Sequence, residues 1–182
     1  MRLVLDACVL YPTVMREVLL GAAEAGCFES IWSARILEEW ARAAARLDPA
    51  QEAQARGEIA LARAAFPKAE VAPAPGLEAR LWLPDASDIH VLATAVASSA
   101  DGIVTLNAKD FPRNILAEEG VERTDPDSLL MRLWQDRPEP LEAVAEAVLA
   151  QARALSGEPW EMRKLLKKAR LPRFAKAMAG KV

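Results

Sequence analysis

Acidic side chains recur in this sequence where short apolar runs stop and helices start. Asp6 follows Arg2-Leu-Val-Leu, Glu38-Glu39 follows Ser33, and Asp85 and Asp88 follow Pro84. Asn107 and Asp110 follow Gly102-Ile-Val-Thr105. Oxygen donors with no imidazole or thiolate partners suit Mg2+ or Mn2+. Carboxylates gathered together raise one another's pKa, and a divalent cation removes that cost. The same cation lowers the pKa of water and stabilises charge on a phosphoryl oxygen. Other chemistries are excluded by composition. One histidine, His90, rules out a paired-histidine ribonuclease and a multi-histidine zinc site. Two cysteines, Cys8 and Cys27, make neither a zinc ribbon nor a disulfide framework. The sequence contains no G-x-x-x-x-G-K-S/T, G-x-G-x-x-G or G-x-S-x-G motif.

The elements that must position these residues alternate between strand and helix. Residues 2–6 read as a buried strand of a parallel sheet. A helix follows over 13–25, with Val14, Val18, Leu19 and Ala22 as its stripe and Gly26 at its end. Residues 27–32 form a second strand, and Ser33 caps a helix to about Leu47. Asp48-Pro49 starts a third helix ending near Phe66-Pro67, and residues 72–76 are a loop. A helix spans 85–99, a strand 102–105, a short helix 111–120, a last strand 121–124 and a helix 125–134. Such alternation indicates an α/β domain with a mainly parallel sheet. Ligands there sit beyond the carboxyl ends of the strands, which selects Asp6 and the Thr105–Asp110 loop. Gln135 to Pro140 marks a joint, followed by an amphipathic helix over 141–155, a helix opening at Pro159 and a short one broken off by Pro172.

The chain has 182 residues, 52% hydrophobic and 27% charged, which is a globular composition even with 37 alanines inflating the first figure. The net charge of −3 conceals an asymmetry: residues 158–182 hold eight bases and two acids, leaving −9 on the rest. The N-terminus shows no signal-peptide pattern, and no segment approaches a membrane span, so a soluble cytoplasmic protein is expected.

Four blocks in order resemble a known family: LVLDACVLYP at the N-terminus, SARILEEW at 33–40, LPDASDIHVLATAVASSAD at 83–101 and IVTLNAKDFP at 103–112. The chain looks like a PIN-domain nuclease of the VapC-like toxin–antitoxin type over about residues 2–124. The resemblance implies a three-layer α/β/α sandwich over 1–135, with 136–182 as a helical, basic extension. It implies an Mg2+- or Mn2+-dependent endoribonuclease whose catalytic and metal-holding residues are Asp6, Glu39, Asp88 and Asn107, with Asp110 helping directly or through water. Asn107 stands where the family more often has aspartate, and Cys8 where many relatives carry Asn or Ser. Water attack would leave 5′-phosphate and 3′-hydroxyl ends. An RNA substrate, a small antitoxin occupying the acidic groove and a homodimer are the implied partners. A catalytically inactive RNA- or partner-binding PIN fold is the rival, favoured by Asn107.

Each residue also has a plain structural reading. Asp6 as a turn residue is disfavoured, because a charge ending a buried strand is costly unless paired. Glu38 and Glu39 both have arginines at helical spacing, Arg35 and Arg42, and only the resemblance selects Glu39. Asp85 is an N-cap, and Asp88 three residues on fits a capping arrangement. Thr105 and Arg16 are candidate substrate contacts, Arg16 equally a solvated surface residue. His90 belongs on a helix flank, and the five tryptophans in core or interface. Lys164 and Lys168 represent the basic tail, which either binds RNA or a partner or is a solvated helix face.

Overall fold

The computed structural model describes residues 1–180; Lys181, counted above in the basic tail, lies outside them. Five strands, β1 (Arg2–Leu5), β2 (Glu29–Ser33), β3 (Glu70–Val71), β4 (Gly102–Val104) and β5 (Glu122–Thr124), alternate with helices. The helices are α1 (Ala7–Leu10), α2 (Thr13–Glu24), α3 (Ala34–Leu47), α4 (Pro49–Ala65), α5 (Pro75–Arg80), α6 (Ile89–Ala97) and α7 (Arg113–Glu118). α8 (Pro126–Asp136), α9 (Pro138–Ser156), α10 (Met162–Lys168) and α11 (Pro172–Ala179) follow. This is the expected α/β/α architecture with a parallel sheet and a helical C-terminal region.

The sheet order is β3-β2-β1-β4-β5, with every paired neighbour parallel. Leu3, Val4 and Leu5 of β1 are all buried, as a strand covered on both faces requires. Val4 lies opposite Ile31 on one side and Ile103 on the other. β1 leads outward to β2 and β3, and the chain then returns to β4 on the other side of β1. The order therefore reverses between β1 and β4, the point at which open parallel sheets bind ligands.

The described residues form two compact units. The first comprises 1–11 and 28–124; the second comprises 12–27 and the residues from 125 onward. In the first, Trp32, Ile36, Leu37 and Trp40 of β2 and α3 and Val91 and Leu92 of α6 are buried around the strands. In the second, α2 packs on α9 closely enough that a Cβ at Gly21 would lie 2.7 Å from Val144 Cγ1. Asp127 of α8 is buried, and its carboxylate accepts from the backbone N–H groups of Arg173 (3.0 Å) and Phe174 (2.9 Å). It thereby caps α11 from a distant part of the chain.

Several local expectations are corrected. The loop expected over 72–76 ends in α5, whose first residue Pro75 loses nothing there because that N–H has no helical partner. The helix expected from residue 85 is a 3-10 turn over Ala86–Asp88 before α6 begins. The helix expected at Pro159 starts at Met162. The joint at 135–140 is a corner rather than a linker: Arg137 alone separates α8 from α9.

Candidate metal centre

Asp6 ends β1 at the switch point and opens α1, its backbone carbonyl accepting from Val9 N (3.0 Å) and Leu10 N (3.3 Å). Only 8% exposed, its carboxylate is not left bare: Oδ2 accepts from Thr105 Oγ1 at 2.6 Å and from Cys8 Sγ at 3.0 Å. Thr105 follows β4, whose register sets Val104 beside Leu5. Thr105 is therefore not a substrate-facing hydroxyl. It is 2% exposed, donates to Asp6, and accepts from Asn107 N at 3.0 Å. Cys8 supports the Asp6 carboxylate by donating through sulfur. Burial and the Asp6 charge push its thiol up to about 12, which keeps the proton on sulfur.

Asp88 sits at the end of the 3-10 turn that Asp85 caps. Asp85 stands just before that turn with extended backbone and Asp88 is its last residue. Asp85 Oδ1 accepts from Ser87 N (2.9 Å) and Ser87 Oγ (2.7 Å), contacts that hold its pKa below the ordinary carboxylate value. Asp110 comes from the loop after β4, which Arg123 pins by donating to the carbonyls of Ala108 and Phe111. One carboxylate oxygen each from Asp85, Asp88 and Asp110 lies within 4.8 Å of the others, the spacing of a shared cation. Burial, followed by the charges of Asp6, Asp85, Asp110 and Glu39, raises the Asp88 carboxyl to about 6. Asn107 Nδ2 donates to Asp88 Oδ2 at 3.2 Å.

The two adjacent glutamates of α3 have different surroundings. Glu38 is spent in a surface ion-pair group with Arg42 (3.3 Å) and Arg56 (3.0 Å). Glu39 faces Arg35 at 3.5 Å and His90 Nε2 at 2.9 Å. That His90 contact lies off the N–H direction, so it is a close polar neighbour rather than a formed hydrogen bond. His90 is not on an open flank: it is 3% exposed, and neither ring nitrogen has a hydrogen-bond partner. Arg35 also donates to Ser87 O at 3.1 Å, tying α3 to the turn that carries Asp88.

The structure thus gathers Asp6, Glu39, Asp88, Asn107 and Asp110 near one another and adds Asp85, one of the recurring acids whose plain structural reading is an N-cap. Its i, i+3 spacing to Asp88 was the available signal. The remaining substrate candidates lie in the second unit. Arg16 is 2% exposed, not a solvated surface residue, with Nε 3.5 Å from Glu17 Oε1. Lys164 pairs with Glu161 at 2.8 Å, and Lys168 Nζ lies 4.8 Å from the centre of the Trp160 ring. Among the described residues no helix is long and apolar enough to cross a membrane.

A family model described as PIN domain matches residues 2–109, more than half of the chain. No curated protein and no solved structure matches it. The matched segment contains the switch point, Asp6, Glu39, both aspartates of the 3-10 turn and Asn107, and stops one residue before Asp110; on that match the chain belongs to the PIN-domain family.

Proposed function

We propose that this protein is an Mg2+- or Mn2+-dependent endoribonuclease acting in the cytoplasm as the toxin of a toxin–antitoxin pair. PIN domains are generally nucleases. The observation that carries the reading is the convergence of Asp85, Asp88 and Asp110 on one spot, with the charges of Asp6 and Glu39 also acting on Asp88. Asp85, Asp88 and Asp110 offer hard oxygen donors, and an Asp88 carboxyl raised to about 6 by its surroundings is a cost that a cation relieves. These residues fit a divalent ion. Asp85, Asp88 and Asp110 are spaced to share it, and the family likeness adds Asp6, Glu39 and Asn107 as residues that would hold it. When bound, it supplies charge stabilisation at phosphoryl oxygens and water of lowered pKa.

The chain's own contributions follow from the geometry. Thr105 and Cys8 fix the Asp6 carboxylate through two donated hydrogen bonds. Arg35 and His90 flank the Glu39 carboxylate. The only imidazole is buried, so attack by the RNA 2′-oxygen has no histidine to carry its protons. Hydrolysis by water leaves 5′-phosphate and 3′-hydroxyl ends. Mapping 5′ ends of cellular RNA after expression of wild type and of Asp6→Asn tests this: wild type gives new monophosphate ends that the variant lacks. Equal ends from both would refute it.

The toxin reading rests on family likeness and on an acidic cluster that suits a basic side chain from a small partner. A neighbouring reading frame encoding a small DNA-binding protein is expected, and the active form is expected to be a homodimer. Exposed bases on α10 and α11 are assigned to RNA or partner binding, within a helical extension placed at 136–182. Asn107 supports a second reading, a PIN fold that binds without cutting, because it brings an amide where a charge would serve an ion. Failure to bind Mn2+ would favour that reading.

A further inference from the structure

We propose that the notch beside Trp82 is a nucleobase site and that it takes guanine, an inference that rests on reading the chain as an RNA-cleaving enzyme. Trp82 is 63% exposed, while its neighbours Leu81 (8%) and Leu83 (2%) are buried. The backbone at Leu81 is extended, with φ −79° and ψ 157°. Successive side chains of extended chain point to opposite sides, so the two anchored leucines hold the indole outward. Leu81 N donates to Leu77 O at 2.9 Å, fixing the segment to the end of α5. A large ring presented to water on an anchored segment is a ready stacking platform, and every base has a π face to offer it.

Trp82 is among the residues lining a pocket of about 400 Å3 whose polar lining is Arg80, Asn114, Glu118 and Glu119. Glu119 is consumed by a two-pronged pair with Arg80, at 2.8 and 2.7 Å. Glu118 and Asn114 have no side-chain hydrogen bond or ion pair among the described residues, leaving a carboxylate and an amide unspent beside the ring. The Watson–Crick edge of guanine presents two adjacent N–H donors, which match the two oxygens of one carboxylate, and an O6 that accepts from an amide. Adenine and cytosine offer one exocyclic amine at that edge, and uracil a single N–H. The Glu118 charge repels phosphate, so the base enters and the backbone stays outside.

Position links this notch to the acid cluster. Asp85 is three positions after Trp82, so their Cα atoms lie at most about 11 Å apart. Asp85 is itself a member of the carboxylate group. A base stacked on Trp82 therefore belongs to a nucleotide close to the phosphate held at that group, which would give cleavage a guanine at a fixed offset.

The test uses full-length Asp88→Asn protein, which retains the notch and removes one charge from the cluster. Fluorescein-labelled hexamers UUUGUU, UUUAUU and UUUUUU are titrated by anisotropy. UUUGUU is expected to bind at least about fivefold tighter than UUUUUU, in the range of one added hydrogen bond to a charged group. Adding Trp82→Ala weakens binding of all three hexamers, Trp82→Phe restores most of it, and Glu118→Gln lowers the preference for G over A while leaving UUUAUU binding unchanged. Equal affinities for the three hexamers, or no effect of Trp82→Ala, overturn the proposal. So does sedimentation showing that Trp82 drives self-association with no effect on RNA. If wild type with Mn2+ cuts RNA yet the hexamers bind equally, the base site fails and the nuclease reading stands. If the guanine preference appears but wild type cuts nothing, the base site stands and the nuclease reading fails.

Discussion

Asp88 concentrates the electrostatic cost of the acid cluster. With its carboxyl raised to about 6, the proton is bound more tightly in the folded chain than in the unfolded one. Its contribution to stability is therefore fully present below pH ~4 and is lost as pH rises through about 6. Metal-free protein should show this loss in thermal unfolding, and Asp88→Asn should remove the slope and melt higher at pH 7. Mn2+ affinity should run the other way, rising as pH passes 6, because the cation competes with the proton; calorimetry at pH 5 and 7 checks it. Thr105→Val removes the shortest bond to Asp6, and loss of such a support typically weakens a metal site about tenfold or more. A Thr105→Val chain that binds Mn2+ like wild type would contradict the role assigned to that hydroxyl. Acid at the end of a buried apolar strand makes Asp6 readable from sequence, since such a charge is costly without partners. Glu38 and Glu39 are not separable that way: the residue that occupies Glu38 is Arg56, on another helix, and no local spacing shows it. The depth of His90 is not legible locally, because neighbouring residues do not report how deeply a helix face is buried.

At the scale of elements, two supports stand out. Asp127 satisfies two backbone N–H groups at the start of α11, one of them buried. Asp127→Ala leaves them unpaired and should cost about 2 kcal/mol in denaturant unfolding, with Asp127→Asn costing less. Arg123 holds the loop that carries Asn107 and Asp110 through two backbone carbonyls. Arg123→Ala should raise hydrogen exchange across 106–111 and weaken Mn2+ binding while leaving the sheet protected. Proline position explains much of what was legible here. Pro49 and Pro126 follow capping aspartates and mark helix starts, whereas Pro75 stands in a Pro-Ala-Pro-Gly run that reads equally as loop. β3 is two residues long, too short to leave a periodic signal.

For the whole molecule, the compact units do not follow the order of the chain. α2 belongs with the C-terminal helices although it lies between β1 and β2 in sequence. Its buried Met15, Val18, Leu19 and Ala22 would lose the cover of α9 if the chain stopped at Thr124. Residues 1–124 alone should therefore melt lower than the full chain and bind a dye specific for exposed apolar surface; equal melting would contradict this. Sequence order could not reveal the grouping, because α2 carries the same apolar stripe whichever unit covers it. The reversal of strand order between β1 and β4 was likewise beyond local pattern, although acids at two strand ends pointed to the place where it occurs.

The carboxylates gathered around Asp88 are proposed to hold a divalent cation for RNA hydrolysis. Purified full-length protein incubated with single-stranded RNA tests it most directly, with Mn2+, with EDTA, and with Asp88→Asn in Mn2+. Cleavage to 5′-phosphate and 3′-hydroxyl ends should occur only for wild type with Mn2+. Cleavage that persists in EDTA or in Asp88→Asn, or that leaves 2′,3′-cyclic phosphate ends, would rule out metal-assisted hydrolysis at this cluster.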